Sequence, residues 1–452
     1  MLYGNGLAEV DSYSLDYEIQ RLLVQNGGTS LIDRTHARAD ALNLTGITDA
    51  VTPANNQVMS YAPTNRLASA AGAFGTQSWL YDGVGNRTQE ISAGATNTYA
   101  YPATSNRLSG VTQGATSVRA FVYDANGNIA TDTRSGVLYA YTYNQNNRLK
   151  TVTVAGNLKA TYTYDAMEHL AVRVLTNMTP SGTIHTVYDR DGNLLMESNG
   201  LTTGITREYI WLPQTQIAPV MGARASVARP LAVVDAVNTA SPQTYWVSVD
   251  HLNRPAQMTN SAKASVWQAT WQPFGAPQAI TGTLTLDARF PGQWFQLESG
   301  LHQNWWRHYD PTTGRYTQVD PLGFPNGPSV YAYAGSNTAD LTDLNGLCAS
   351  GLARGAWADF CTGVTKFIPP LRKFAAVCAI VLAGEELPEP PPLPQKPPAP
   401  IEQPLPKPTP TPGPTPPLEL PPSGPGPGPD SGPLPPPFDN IPVSPPTRSV
   451  RY

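Results

Sequence analysis

The tripeptide Asn-Arg-Leu recurs every 41 residues, beginning at Asn65, Asn106 and Asn147, and each copy is followed, 15 or 16 residues after its arginine, by Tyr-Asp at Tyr81, Tyr123 and Tyr164. This repetition restricts the fold severely. A unit of about 20 residues has one apolar face and can bury it only against the next copy, so the units must stack. YDGVGN (81–86), YDANGN (123–128) and YDRDGN (188–193) end in Gly-Asn, where glycine supplies the positive φ of a tight hairpin turn. Between the turns, LYAYTYNQNNRL and LKATYTYDAMEHL alternate aromatic or aliphatic residues with Thr, Ala and Asn, the period of a half-buried strand. The pattern predicts tyrosine rungs on one sheet face and a polar opposite face. An all-β body of antiparallel strands, wound as a curved sheet from about residue 10 to residue 347, is the consequence.

The flanks extend this rhythm and then replace it. YSLDYEIQRLLVQNGG and ALNLTGITDA keep the alternation of strand and turn upstream. From Arg207 the repeat gives way to REYIWLP, YWVSVDHLNRPAQMTN (245–260) and VWQATWQPFGAP (266–277). A chain that is only 14% charged, with 38 Gly and 46 Pro, agrees with β structure rather than helix. Its net charge of -4 leaves no electrostatic footprint for nucleic acid or an anionic membrane. The three cysteines, Cys348, Cys361 and Cys378, provide no disulfide framework for the body and no zinc spacing. The six histidines stand singly, outside any metal-ligand pattern, and read as core or surface residues. No phosphate loop, H-E-x-x-H or G-x-S-x-G occurs, so nucleotide hydrolysis, zinc proteolysis and a hydrolase elbow are unsupported, and no cofactor is expected.

The run from Trp294 to Leu347 concentrates aromatics and turns. Asp310, Asp320 and Asp343 each open a turn, because an aspartate bonds its own backbone two residues on. Turn formation is the commoner role for such spacing. Carboxylates at successive strand ends can also converge, and a pair sharing one site is driven to different pKa values, as acid/base hydrolysis requires.

This run resembles the RHS-repeat-associated core domain, whose pattern is R-x-Y-D-P-x-x-G-R-[YF]-x-x-x-D-P-x-G-L, then N-x-Y-x-Y, then D-P-x-G-L. Arg307, Tyr309, Asp310, Pro311, Gly314, Arg315, Tyr316, Asp320, Pro321, Gly323, Tyr331, Tyr333, Asn337, Asp343, Gly346 and Leu347 match it, while Phe324, Ser329 and Leu344 depart from it. The upstream units are similar to YD repeats, the building block of the same family, and the likeness runs from near Tyr61 to Leu347. It implies an antiparallel β-sheet spiral forming a cocoon-like shell, closed or incomplete, that holds and delivers its own C-terminal segment. In self-maturing members the core is an aspartate-type autoprotease that cuts just after the second motif. Carried over, the scissile bond joins Leu347 to Cys348, with Arg307 and Asp320 as the catalytic pair and Asp343 as a second carboxylate.

The resulting division is YD repeats at 1–206, the core domain at 207–347, a variable and partly helical segment at 348–387, and a proline-rich tail at 388–452. That tail holds 28 of the 46 prolines from Pro388 to Pro446, so it is expected to be extended and disordered. FAAVCAIVLAG (374–384) is about half a membrane span and reads as a short buried element. The opening residues lack the basic and apolar regions of a secretory signal, so export is expected by another route, to the cell surface or medium. The implied partners are the C-terminal segment as cargo and components of a secretion apparatus or toxin complex. The competing reading is an adhesive module, with exposed Tyr and Trp rungs stacking on cell-surface carbohydrate and no cleavage.

Overall fold

The computed structural model describes residues 1–15, 18–202, 204–212, 228–324, 327–347 and 349–351. The helix and disordered tail expected beyond residue 351 lie outside the described residues. Between Ala8 and Gly282 the described residues form one sheet of 24 strands. The strands pair antiparallel with their sequence neighbours throughout, from Ala8–Tyr13 against Ile19–Asn26 to Ser265–Trp271 against Pro277–Gly282. Pairing runs without interruption across residues 206 and 207, within the strand Ile205–Trp211.

The repeated residues explain this regularity. Each turn aspartate accepts from the residue four positions on: Asp82 Oδ1 takes the Asn86 amide at 2.8 Å and Asp82 Oδ2 the Asn86 side chain at 2.9 Å. Asp124 with Asn128 and Asp189 with Asn193 repeat the arrangement. Gly85, Gly127 and Gly192 take φ of 88°, 86° and 84° in these turns, as their sequence predicts. Where glycine is missing, Asn147 (φ 57°) and Glu168 (φ 65°) adopt the same left-handed conformation, and the side-chain oxygens of Asn144 and Asp165 still take the amide four positions on, so an Asp or Asn side-chain oxygen rather than glycine is the constant part. A tyrosine at the end of the strand before the turn reaches back to a carbonyl at the start of an earlier strand. Tyr61 bonds Leu44 O, Tyr81 bonds Leu67 O, Tyr101 bonds Arg87 O, Tyr143 bonds Ile129 O and Tyr164 bonds Leu149 O, all at 2.7–2.9 Å. Tyr143→Phe is therefore expected to lower stability by about 1 kcal/mol, the typical worth of one such bond. A lower urea midpoint with an unchanged slope would register that loss, and an unmoved midpoint would contradict it.

The sheet coils so that its early and late strands lie side by side. Arg229 Nη2 meets Glu9 at 2.6 Å, Asn5 Nδ2 donates to Asn260 O at 3.0 Å, and Gln77 Nε2 donates to Gln272 Oε1 at 3.1 Å. Its inner face carries the aromatic rungs, including Trp79, Phe121, Tyr141, Tyr162, Tyr209 and Trp267. Those rungs pack on the chain's own later residues: Leu301 joins the cluster around Tyr141 and Tyr162, and Trp294 joins that around Tyr209 and Trp267. The outer face corrects the sequence expectation. It is exposed, but Leu80, Val122, Val187 and Ile210 stand there, so it is not uniformly polar.

Inside the coil sits a second antiparallel sheet of four short strands, Trp294–Gln296, Leu301–Asn304, Arg307–Asp310 and Arg315–Tyr316. Buried polar contacts bolt it to the surrounding strands. Arg119 pairs with Asp310 at 2.6 Å, Arg134 donates to Ser299 O at 2.7 Å, Gln318 donates to Asn147 O at 2.6 Å, and Tyr331 donates to Gly127 O at 2.8 Å. The Asn-Arg-Leu motif contributes Arg148, which donates to the carbonyls of Trp305 and Trp306. A buried guanidinium whose two terminal nitrogens donate to carbonyls ties the repeats to the inner sheet, and a lysine could not supply the same fork of donors.

Candidate active site

Three sequence-selected residues meet inside the coil. Arg307 lies on the inner strand Arg307–Asp310, Asp320 opens the turn after the last inner strand, and Asp343 ends the strand Leu341–Asp343. All three are buried. Arg307 Nη2 contacts Asp320 Oδ2 at 3.0 Å and Asp343 Oδ2 at 3.2 Å, so one nitrogen bridges both carboxylates. The guanidinium also donates through Nε to the Gly346 carbonyl and lies 3.6 Å from the centre of the Tyr316 ring. The two carboxyl groups thus share one cation, which offsets their mutual repulsion. That differs in detail from a bare carboxylate dyad.

The two carboxylates are held differently. Asp343 Oδ1 accepts the amides of Gly346 at 2.9 Å and Leu347 at 3.1 Å, while its Oδ2 accepts the Tyr316 hydroxyl at 2.8 Å as well as Arg307. Both oxygens are therefore engaged in shaping the loop that ends at Leu347. Asp320 Oδ1 accepts the Leu322 amide at 2.9 Å, and its Oδ2 faces Arg307. Burial, reinforced by the Asp343 carboxylate, raises the Tyr316 pKa well above its ordinary value, which keeps this hydroxyl a donor.

The loop from Asp343 to Leu347 is clamped along its backbone. Asn345 O accepts the Trp306 amide at 3.0 Å, and Asn304 Nδ2 donates to Asp343 O at 2.8 Å. Gly346 has φ 74°, and a Cβ on it would come within 2.5 Å of Asn304 O. Gly346→Ala is accordingly expected to displace the loop and to lower any reaction at Leu347 by at least about 10²-fold, as a misplacement of around 1 Å does. Denaturing mass spectrometry of the variant, read against wild type, measures this. Cys348 lies outside the described residues, but the chain resumes as the strand Ala349–Gly351, which pairs with Leu341–Asp343.

Asp310 stands apart from this group. It pairs with Arg119, and Thr312 donates to it, while the neighbouring Arg119 and Arg134 hold its carboxyl far below the usual range despite burial. It is thus more than a turn former, being an anchor of the inner sheet. Sequence reasoning matched Tyr316 and Gly346 to a motif without giving them work, and it missed Asn304 entirely. Asn304 carries no local signal, because its contacts are made with Tyr316 and with residues about forty positions downstream.

No family model matches the chain. It is 31% identical over 155 residues to double-stranded DNA deaminase toxin A of Burkholderia cenocepacia, an alignment covering 33% of this chain and 11% of that protein. With toxin protein Tse5 of Pseudomonas aeruginosa it shares 27% identity over 216 residues, 44% of this chain and 16% of the relative. Among solved structures, the Tc holotoxin pore of Photorhabdus luminescens superposes with a TM-score of 0.61 and 18% identity, covering 77% of this chain and 18% of that one. At such identity the structural match speaks for the fold. The chain spans under a fifth of the length of each of these relatives.

Proposed function

The chain is an RHS-repeat protein of the shell-like kind found among polymorphic toxins, and from that premise we propose that its inner residues cut the backbone after Leu347 while the coiled sheet carries the segment that follows. The observation behind this reading is the bridge from Arg307 to Asp320 and Asp343 beside a loop whose last amide, that of Leu347, is held by Asp343. In the reaction, water adds to the Leu347 carbonyl carbon, Asp320 accepts the water's proton, and the peptide nitrogen leaves as an amine after taking that proton. Arg307 keeps Asp320 oriented and steadies the carbonyl one residue before the cut. Asp343 positions the loop. Because the substrate is the protein's own clamped chain, proximity replaces binding and each molecule reacts once.

The pairing of Ala349–Gly351 with Leu341–Asp343 would keep the two products together after the bond is broken. Mass must therefore be measured under denaturing conditions. A fragment ending at Leu347 is the expected result, and an unchanged full-length mass after prolonged incubation of folded protein would remove the autoprotease and leave a shell alone.

Delivery is the wider part of the proposal: the segment after the cut is the cargo, and the natural partners are components of a toxin complex or secretion apparatus. Among the described residues no helix is long and apolar enough to cross a membrane. The carbohydrate-adhesion reading is disfavoured by the placement of the rungs. They pack inward, and the large exposed apolar side chains among the described residues are aliphatic except Tyr13 and Phe324, which gives sugars little to stack on.

A further inference from the structure

Asn304 lies fully buried at the end of the strand Leu301–Asn304, beside the three candidate residues yet outside every motif that selected them. Its amide nitrogen, identified as such because a carbonyl can only accept, donates to Asp343 O at 2.8 Å and to the Tyr316 hydroxyl oxygen at 2.7 Å. Tyr316 passes its own proton on to Asp343 Oδ2 at 2.8 Å. One side chain therefore holds Asp343 twice, directly through the backbone and indirectly through the tyrosine. Asp343 in turn holds the amides of Gly346 and Leu347.

We propose that Asn304 is a positioning residue for cleavage, acting through Tyr316 and Asp343 to set the angle at which the Leu347 carbonyl is presented to Asp320. The proposal rests on the autoprotease reading. Its requirement is for a donor: the Asp343 carbonyl can only accept, and Tyr316 must be approached by a donor if its own hydrogen is to face Asp343 Oδ2. An acceptor placed at 304 would repel the carbonyl and draw the tyrosine proton away from Asp343. The clamp would then be released from its far end, although neither reacting group had been changed.

The isosteric variant Asn304→Asp tests this, since its carboxyl, raised in pKa by burial beside the Asp343 carboxylate, is an acceptor when ionised and regains one of the two donating hydrogens when protonated. Full-length protein is made by cell-free synthesis, and the fragment ending at Leu347 is timed by denaturing mass spectrometry at about pH 8 and about pH 5.5, each rate divided by that of wild type at the same pH. Asn304→Ala is expected to slow cleavage on the order of 10²-fold at both pH values, as loss of alignment does. Asn304→Asp is expected to be comparably slow at the higher pH and to recover toward wild type at the lower one. A purely structural asparagine would give a ratio that does not change with pH, and that result overturns the proposal. So does cleavage of Asn304→Ala within about threefold of wild type, an amount too small for lost alignment. If Asn304→Ala fails to fold, the pH dependence of Asn304→Asp decides alone. Failure of wild type to cleave would instead bring down the autoprotease reading, and the role of Asn304 with it.

Discussion

Asp320→Asn is expected to leave the protein at its full-length mass under conditions in which the wild type separates after Leu347. An amide cannot take up the proton of the attacking water, and loss of a general base slows such steps by about 10²–10⁴-fold. Arg307→Ala should fail for another reason, since it leaves Asp320 and Asp343 side by side without the cation that bridges them and frees the Gly346 carbonyl. The informative control is Asp310→Asn. It sits on the same strand as Arg307 but pairs with Arg119 outside the cluster, and it should cleave at nearly the wild-type rate while losing about 3 kcal/mol of stability through the broken buried ion pair. Time courses of intact mass check all three. Cleavage of Asp320→Asn at the wild-type rate would remove Asp320 from the chemistry.

Acid should loosen the coil well before its carboxylates are neutralised. His36 and His251 face each other across the junction between early and late strands, with ring centres 5.1 Å apart. His251 Nε2 bonds Ala339 O at 2.9 Å, whereas neither ring nitrogen of His36 nor Nδ1 of His251 has a partner among the described residues. Around them stand Arg34, Arg38 and Arg254, balanced by Asp49, Asp250, Glu18 and Asp340. Burial is the main cause that lowers the His251 pKa to about 4, and it lowers His36 well below the ordinary value too. Burial also takes His308, in the inner sheet, to about 3 and puts His302 well below normal.

The sign follows from linkage. With folded pKa values below the unfolded value near 6.5, the unfolded chain binds more protons, so stability is intact above that pH and falls as pH drops toward 4. His251 and His308 each account for a loss on the order of 3 kcal/mol at pH 4, a large share of the 5–15 kcal/mol that holds a typical domain together. Urea midpoints measured from pH 7 to pH 4 are expected to fall steeply, and His251→Phe should flatten part of the slope even if it lowers the starting value. A profile flat over that range would contradict the burial of neutral histidines.

Much of the architecture was legible without coordinates. The 41-residue period, the Tyr-Asp turns and the alternation between them require antiparallel strands in sequence order, because each local unit states its own strand, its own turn and its own buried face. The match to a known core pattern pointed to Arg307, Asp320, Asp343 and Leu347, and in the structure both carboxylates meet at the arginine while the Leu347 amide is held by Asp343. Sequence alone predicted the glycine turns but not that Asn147 and Glu168 fill the same left-handed position. It assigned the tyrosines to a face but not to the carbonyls that they bond, which belong to earlier strands.

Local patterning thus determined the strands, their order and the motif residues, since those depend on interactions within a few tens of residues. Only the tertiary structure decided what lies inside the coil. The inner sheet meets the repeats through contacts such as Arg119 with Asp310 and Arg148 with the Trp305 carbonyl, which join residues more than 150 positions apart. Asn304 gained its position at the Leu347 loop in the same way. No periodicity encodes such pairs, because closing so long a loop is favoured only once the whole curved face is present to bury the residues that meet there.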